Sequence, residues 1–220
     1  ENWSYAAPVA AIGGSLLATG LLCCVAIWVK STVTLILFGI GLSSLAGALM
    51  ALVTNFAPNP FYLSDMITWM LGSVANRSLL DIALVLPFML AGLLLLLSQR
   101  KGLTLLSLGE DTASTLGLSL TTTRICVVLG AGLATGAAVS LAGVIGFVGI
   151  VTPHLVRPLV NYEPGKTIIP SAVLGGVFLV LIDIGVRIIS TNVELKIGVL
   201  AALVGAPIFI WIASKSGRHE

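Results

Sequence analysis

The sequence predicts an all-α, polytopic membrane bundle. Hydrophobic residues make up 57% of the 220 positions and charged residues only 9%, whereas a soluble domain draws about a quarter of its residues from the four charged types. Uncharged stretches long enough to cross a bilayer recur along the chain. Gly132 and Gly136 form a GxxxG pair, which allows close helix approach in membranes. Together these observations predict about seven membrane segments.

The first half of the chain contains three predicted spans and one shorter segment. The first span precedes Lys30, the second covers Thr32 to Thr54, and the third covers Ile82 to Gln99 before Arg100 and Lys101. Between the last two, Ser64 to Gly72 is apolar but too short to cross, since crossing takes about 20 residues. Its length and apolar composition predict an interfacial or re-entrant half-helix.

The second half contains an uncharged run of 32 residues, Ile125 to Val156. At about 1.5 Å of rise per residue, this run exceeds a hydrocarbon core of about 30 Å. We therefore expect a break near Ser140 to Gly143 and two helices. Thr167 to Arg187 and Ile197 to Ser214 complete the predicted set.

The basic residues predict the orientation, because cytoplasmic loops collect Lys and Arg. An odd number of spans puts the termini on opposite faces. With Glu1 outside and Glu220 inside, three basic residues lie outside, namely Arg77, Arg187 and Lys196. The other eight then lie inside: Lys30, Arg100, Lys101, Arg124, Arg157, Lys166, Lys215 and Arg218.

The longest predicted cytoplasmic segment is residues 102–123. Ser107 and Glu110 have the S-x-x-E spacing of a capping box, and Gly117 offers a helix stop. The pattern predicts a short surface helix. It is either a capped connector or a docking element for a cytoplasmic partner.

Few residues point to chemistry within the chain. No HExxH or GxSxG motif is present, so we expect no enzyme activity and no metal site. The net charge of +2 is too small for a nucleic-acid surface. Asp183 and Arg187 stand one helical turn apart, which suits either a structural ion pair or a binding role.

Several ordered motifs extend over essentially the whole chain. They are Trp69-Met-Leu-Gly-Ser73, Leu105-Leu-Ser-Leu-Gly-Glu-Asp-Thr-Ala-Ser-Thr-Leu-Gly117, Gly146-Phe-Val-Gly-Ile-Val-Thr-Pro-His-Leu-Val-Arg157 and Gly205-Ala-Pro-Ile-Phe-Ile-Trp211, with Asp183 and Arg187 between the last two. In order and spacing they resemble the FecCD permeases, the membrane subunits of ABC importers for ferric siderophores, haem and cobalamin. Family members have ten spans, and the resemblance implies a partial chain that begins at the fourth.

The resemblance implies one transmembrane permease domain over residues 1–220, located in the bacterial cytoplasmic (inner) membrane, with a cytoplasmic coupling segment at 102–123. A second permease subunit and two ATP-binding cassette subunits are the implied partners, together with a periplasmic binding protein that delivers the chelate. The chain itself would hold no cofactor, since the partner subunits bind ATP and Mg. The default cargo is a ferric siderophore, with haem and cobalamin as alternatives.

The resemblance also assigns site residues. The helix Leu108 to Leu116 resembles the coupling helix that seats in an ATPase cleft, and Arg187, assisted by Arg77, resembles the docking site for the binding protein. The coupling residues are Leu108, Gly109, Glu110, Asp111, Ala113, Leu116 and Gly117, and the pathway-lining candidates are Ser43, Ser44, Met66, Trp69 and Met70.

Two other functions stay open from the residues alone. An ion-coupled secondary transporter would use Asp183 as its ion site, although a neighbouring arginine makes an aspartate a poor proton carrier. A membrane-embedded scaffold subunit would need no transport pathway.

Overall fold

All regular structure in the described residues is helical. The computed structural model describes residues 6–29, 31–57, 59–75, 77–189 and 195–216. The helices are α1 (Ala6–Trp28), α2 (Thr32–Asn55), α3 (Pro60–Leu71), α4 (Leu79–Ser98), α5 (Arg100–Leu106), α6 (Glu110–Thr115), α7 (Leu120–Ala142), α8 (Val148–Val156), α9 (Pro164–Ile189) and α10 (Ile197–Ser216), with a 3-10 turn at Arg157–Val160. The predicted all-α, polytopic class is confirmed.

Among the described residues, five helices are long and apolar enough to cross a membrane. They are Val9–Trp28 of α1, and α2, α4, α7 and α9. Two shorter apolar helices cover Val148–Val160 and Ile197–Ile212. Residues Glu1, Lys30, Arg218 and Glu220, on which part of the orientation prediction rests, lie outside the described residues.

The predicted break in the apolar run after α7 is confirmed, and the helix that follows it is shorter than the other predicted membrane segments. Helix α7 ends at Ala142, and Gly143 has a positive φ of 71°. Helix α8 has nine residues and continues into the 3-10 turn at Arg157–Val160, so the apolar helical segment after the break is Val148–Val160. The short α3 confirms the predicted half-helix, although it begins at Pro60 rather than Ser64.

The chain forms two compact units. The first contains α1, α2, most of α3, and α4 to α7, and the second contains the last turn of α3 together with α8, α9 and α10. The single permease domain remains a prediction.

In the first unit, helices approach through small residues. A Cβ at Gly132 would overlap the Thr19 side chain of α1, and one at Gly136 would overlap Ser15. A Cβ at Gly92 of α4 would lie 2.5 Å from the Gly130 carbonyl oxygen of α7. The close approach predicted from Gly132 and Gly136 is confirmed, because only glycine leaves room for these crossings.

In the second unit, a small core and a main-chain junction hold the helix ends together. Ile182, Ile197 and Ala201 form the buried core. Beside the α7–α8 break, the Ser73 N–H donates to the Ala142 carbonyl (2.7 Å). The Val144 N–H donates to the carbonyl of Trp69 (3.3 Å).

Candidate functional site: an anchored surface helix

The turn between α5 and α6 begins the predicted coupling segment. Ser107 ends α5 instead of capping α6, and its hydroxyl donates to the Thr104 carbonyl (2.7 Å). Gly109 is the N-cap of α6, has φ of 98°, and contributes no side-chain cap. The predicted capping box between Ser107 and Glu110 is therefore wrong, and the helix is Glu110–Thr115 rather than Leu108 to Leu116.

The Glu110 carboxylate binds two other helices instead. One oxygen, Oε2, pairs with Nη2 of Arg124 on α7 at 2.8 Å. The other, Oε1, accepts the backbone N–H of Thr32 at the start of α2 (3.1 Å). A first-turn N–H of a helix has no partner within its own helix, so the carboxylate caps α2 from a distant part of the chain.

Arg124 completes this network from within α7. Its Nε donates to the Thr32 hydroxyl (3.1 Å), and its Nη1 donates to the Val29 carbonyl just after α1 (3.2 Å). The side chain is only 5% exposed. Burying a guanidinium is costly unless its charge and donors are satisfied, and these contacts supply that compensation. The network therefore fixes α6 to the adjoining ends of α1, α2 and α7.

The same contacts determine the protonation of Glu110. Hydrogen bonding from Thr32 is the largest cause that holds the pKa of the Glu110 carboxyl below its ordinary value of 4.5, and Arg124 contributes further through its hydrogen bond and its charge. Partial burial acts in the opposite direction without prevailing. Glu110 is consequently ionised at neutral pH.

The end of α6 follows the sequence prediction. Gly117 has φ of 86°, and its N–H donates to the Ser114 carbonyl (3.0 Å). The Leu118 N–H donates to the Ala113 carbonyl (3.0 Å), which completes a Schellman motif. Gly117 is thus confirmed as the helix stop.

The predicted coupling residues divide into an exposed set and an inward set. Leu108, Gly109, Asp111, Leu116 and Gly117 are exposed, with Leu108 and Leu116 each 59% exposed. Glu110 is half-buried in its ion pair, and Ala113 is 0% exposed. The contact role expected of Ala113 is therefore wrong, because its side chain faces the protein's own interior. The role of the exposed set stays a prediction.

The predicted ion pair near the end of α9 is present. Nε of Arg187 donates to Oδ2 of Asp183 at 2.8 Å. The Arg187 side chain is 73% exposed and can meet a further partner. Its docking role stays a prediction.

Arg77 is exposed just before α4 and lines a cavity of about 570 Å³ in the first unit, beside Asp81. The Ser78 N–H donates to Asp81 (2.9 Å), and the Asp81 N–H donates to the Ser78 hydroxyl (3.2 Å). This is a capping box that the sequence analysis missed, although the Ser-x-x-Asp spacing before an apolar run is its signal. No structural feature assigns Arg77 to docking.

The pathway-lining candidates lie on two helices. Ser43 and Ser44 are exposed on α2, Met66 and Trp69 are half-buried on α3, and Met70 is exposed there. Met66 also lines a cavity of about 590 Å³ between the ends of α2 and α3 in the first unit. Their role in a pathway stays a prediction.

The described residues contain no group of three or more His, Cys, Asp or Glu side chains close enough to bind one metal ion. The chemistry of the candidate site is that of ion pairs and main-chain hydrogen bonds.

Sequence reasoning missed Arg124 as a site residue. It was assigned to the inner loop as one basic residue among eight, whereas α7 begins at Leu120 and includes it. The usable signal was a lone arginine beside a long apolar run, since such a residue needs a carboxylate partner.

In the described residues, five helices are long and apolar enough to cross a membrane, and a short helix is held by an ion pair to the buried Arg124; this combination defines a polytopic membrane protein. The family model described as the FecCD transport family matches residues 3–215. The chain therefore belongs to the FecCD transport family.

Two curated relatives are similar over most of this chain. The uncharacterized ABC transporter permease protein YvrB of Bacillus subtilis (strain 168) is 38% identical over 188 residues, which are 86% of this chain and 53% of the relative. The vitamin B12 import system permease protein BtuC of Salmonella typhi is 36% identical over 219 residues, 97% of this chain and 65% of the relative. The chain thus spans between half and two thirds of the length of these relatives.

A solved structure shares the fold. It is described as an inward-facing conformation of a metal-chelate type ABC transporter, and it superposes with a TM-score of 0.81 at 30% sequence identity. The match covers 93% of this chain and 72% of the solved chain.

Proposed function

We propose that this chain is a permease subunit of an ATP-driven importer that passes a metal chelate into the cytoplasm. The observation that carries the proposal is α6. A two-turn helix held by the ion pair of Glu110 with the buried Arg124, with Leu108, Asp111 and Leu116 exposed around it, suits docking into a cleft of a partner protein. The family membership and the ABC permease relatives support this interpretation.

The proposed partners follow from what the chain provides. A second permease subunit would complete the pathway, two ATP-binding cassette subunits would seat α6 and hydrolyse ATP, and a periplasmic binding protein would dock near Arg187. ATP and Mg would be bound by the cassette subunits. The distribution of basic residues supports α6 on the cytoplasmic side and Arg187 on the outer side of the inner membrane.

The proposed cargo is a ferric siderophore or a cobalamin, and the ferric siderophore is our default. The vitamin B12 import relatives and the metal-chelate type structure support the broader class of chelated metals. Haem is the third candidate cargo, and the uptake assay described next tests it together with the other two.

The experiment uses the complete permease with its cassette subunits and binding protein in proteoliposomes. Uptake of radiolabelled ferric siderophore, haem and cobalamin is measured with ATP, without ATP, and with a hydrolysis-deficient cassette. We expect ATP-dependent uptake of one of these chelates. Uptake driven by an ion gradient without ATP would instead favour the secondary transporter, although the close pairing of Asp183 with Arg187 opposes an ion-carrier role.

Orientation is tested separately by cysteine labelling in intact cells. Ser107 lies in the exposed turn before α6, and Ala75 lies in the exposed segment between α3 and α4. A cysteine at Ala75 should react with an impermeant thiol reagent, whereas a cysteine at Ser107 should not. The opposite pattern would invert the topology and remove the proposed partners from α6.

A further inference from the structure

Arg124 connects four separate pieces of the first unit. We propose that Arg124 is a positioning residue that locks α6 to the base of α2, so that α6 and α2 move as one body during the transport cycle. This inference rests on the proposed function, because it concerns how the motion of α6 reaches the pathway.

The first argument is the pattern of contacts. Arg124 uses three different nitrogens for three partners: Glu110 of α6, the Thr32 hydroxyl of α2, and the Val29 carbonyl. Glu110 in turn accepts the Thr32 N–H with its second oxygen. Glu110, Arg124 and Thr32 therefore form a closed triangle, and α6 cannot shift relative to the base of α2 without breaking at least one contact.

The second argument is that α2 has no cap of its own. Ser31 is its N-cap residue and makes no side-chain cap hydrogen bond. The carboxylate of Glu110 supplies the missing acceptor at the positive end of the helix dipole. The first turn of α2 thus depends on Glu110 of α6 for its N-terminal cap, which links the positions of the two helices.

The third argument is the burial of the connection. The Arg124 side chain is almost inaccessible, so water cannot easily replace a lost partner. By contrast, the Glu163–Lys166 pair at the start of α9 has its lysine 69% exposed and can exchange with water. The connection through the buried Arg124 is therefore better suited to transmit a displacement than the exposed Glu163–Lys166 pair.

The consequence lies at the far end of α2. With 24 residues, α2 is about 36 Å long, and a tilt of a few degrees at its base displaces its other end by about 2 to 3 Å. The predicted pathway residues Ser43 and Ser44 lie in the middle of α2, about 17 Å from its base, where the same tilt gives a displacement of about 1 Å. A rigid joint at Arg124 would convert a movement of α6 into a movement of the predicted pathway wall.

The experiment replaces the joint with a covalent one. Cys23, Cys24 and Cys126 are first changed to serine or alanine in the complete permease, and Thr32→Cys and Glu110→Cys are then combined. The complex with its cassette subunits and binding protein is reconstituted in proteoliposomes. Cargo transported per ATP hydrolysed is measured before and after bridging with a short bifunctional methanethiosulfonate reagent.

Before bridging, we expect ATP hydrolysis to continue while transport per ATP falls at least fivefold. After bridging, transport per ATP should return to within twofold of the parent. A bridged complex that hydrolyses ATP without transport would overturn the inference, because α6 would then have to move relative to α2. Full coupling in the unbridged variant would overturn it as well.

A second variant covers failure of the double substitution to fold. Glu110→Gln keeps an acceptor for the Thr32 N–H but removes the charge facing Arg124, so transport per ATP should fall two- to threefold at normal abundance. Glu163→Gln is the matched control, since it removes a carboxylate from an exposed pair, and its ratio should equal that of the parent. An unchanged ratio in Glu110→Gln would contradict the inference.

The same data separate the two proposals. A parent complex without ATP-dependent transport contradicts the proposed function. A parent complex that transports normally, together with a bridged variant that does not, contradicts only the rigid joint.

Discussion

Replacing Gly92 by alanine should force α4 away from α7. A Cβ built on Gly92 lies 2.5 Å from the Gly130 carbonyl oxygen and 2.7 Å from the Ala134 nitrogen. Carbon–oxygen contacts normally begin at about 3.3 Å, so roughly 0.8 Å of overlap must be relieved. Both obstacles are main-chain atoms. The overlap is therefore relieved by moving helices and not by rotating a side chain.

The expected loss of stability follows from two opposing terms. Overpacking costs about 1 to 3 kcal/mol, and the close approach to main-chain atoms places Gly92 in the upper part of that range, at about 2 to 3 kcal/mol. Alanine regains up to about 1 kcal/mol over glycine in helix propensity. The net effect of Gly92→Ala should be a destabilisation of about 1 to 2 kcal/mol, which for a chain of this size lowers the melting temperature by about 2 to 8 °C.

The assay is thermal unfolding of the purified permease in detergent, followed with a thiol-reactive dye. Cys23 and Cys126 lie half-buried in the same unit and become reactive as it opens. Gly47→Ala in α2 is the matched control, because the added Cβ has no neighbour within 4 Å beyond the adjacent backbone of its own helix, and the melting temperature should not fall. Equal melting temperatures for Gly92→Ala and the parent would refute the steric reasoning.

Three further predictions concern the site. Arg187→Ala should lower the affinity for the binding protein and reduce the salt dependence of that affinity, while stability stays near normal because an exposed helical ion pair contributes only tenths of a kcal/mol. Titration of the nanodisc-held complex at two salt concentrations tests this, and unchanged affinity with a lower melting temperature would contradict it. Ala113→Trp should lower the melting temperature, because the buried position has no room for the larger side chain, whereas Leu116→Asp should abolish co-purification of the cassette subunit at normal stability. A normal melting temperature in Ala113→Trp together with normal co-purification in Leu116→Asp would contradict the division into inward and exposed sets. Because folding lowers the pKa of Glu110, its ion pair stabilises the protein above the ordinary pKa of 4.5, and this stabilisation is lost as the pH falls through the lower pKa of the folded state. Between about pH 7 and pH 3.5 the melting temperature of Glu110→Gln should therefore decline less steeply at the acid end than that of the parent. Parallel curves would contradict this prediction.

Run length and charge were sufficient to predict most of the membrane helices. They located α2, α4 and α9 and the break after α7, because spans and breaks depend on local hydrophobicity and chain length. The same information could not show that α8 is short. Its residues are as apolar as those of a span, and only the tertiary structure determines where the helix ends.

Long-range pairing explains the errors at the site. The Ser107–Glu110 spacing predicted a local capping box, but Glu110 is engaged by Arg124 and Thr32, which are 14 and 78 residues away in sequence. Local spacing cannot reveal such a competitor. Ala113 was placed among the contact residues by the family resemblance, and a two-turn helix is too short for its hydrophobic pattern to distinguish an inner face from an outer one.

The junction beside the α7–α8 break has a consequence for suppressor genetics. Side chains at Gly72, Gly143 and Gly198 would collide with the carbonyl oxygens of Val144, Trp69 and Leu71, respectively. A backbone oxygen cannot be removed by changing the residue that carries it, so a damaging substitution at one of these glycines should yield true revertants rather than second-site suppressors at the colliding residue. The crossing of α1 and α7 differs, because Gly132 and Gly136 meet the side chains of Thr19 and Ser15. A damaging substitution at Gly132 should be suppressed by Thr19→Gly, and one at Gly136 by Ser15→Gly. At this crossing, the small residue required for close approach can therefore lie on either helix.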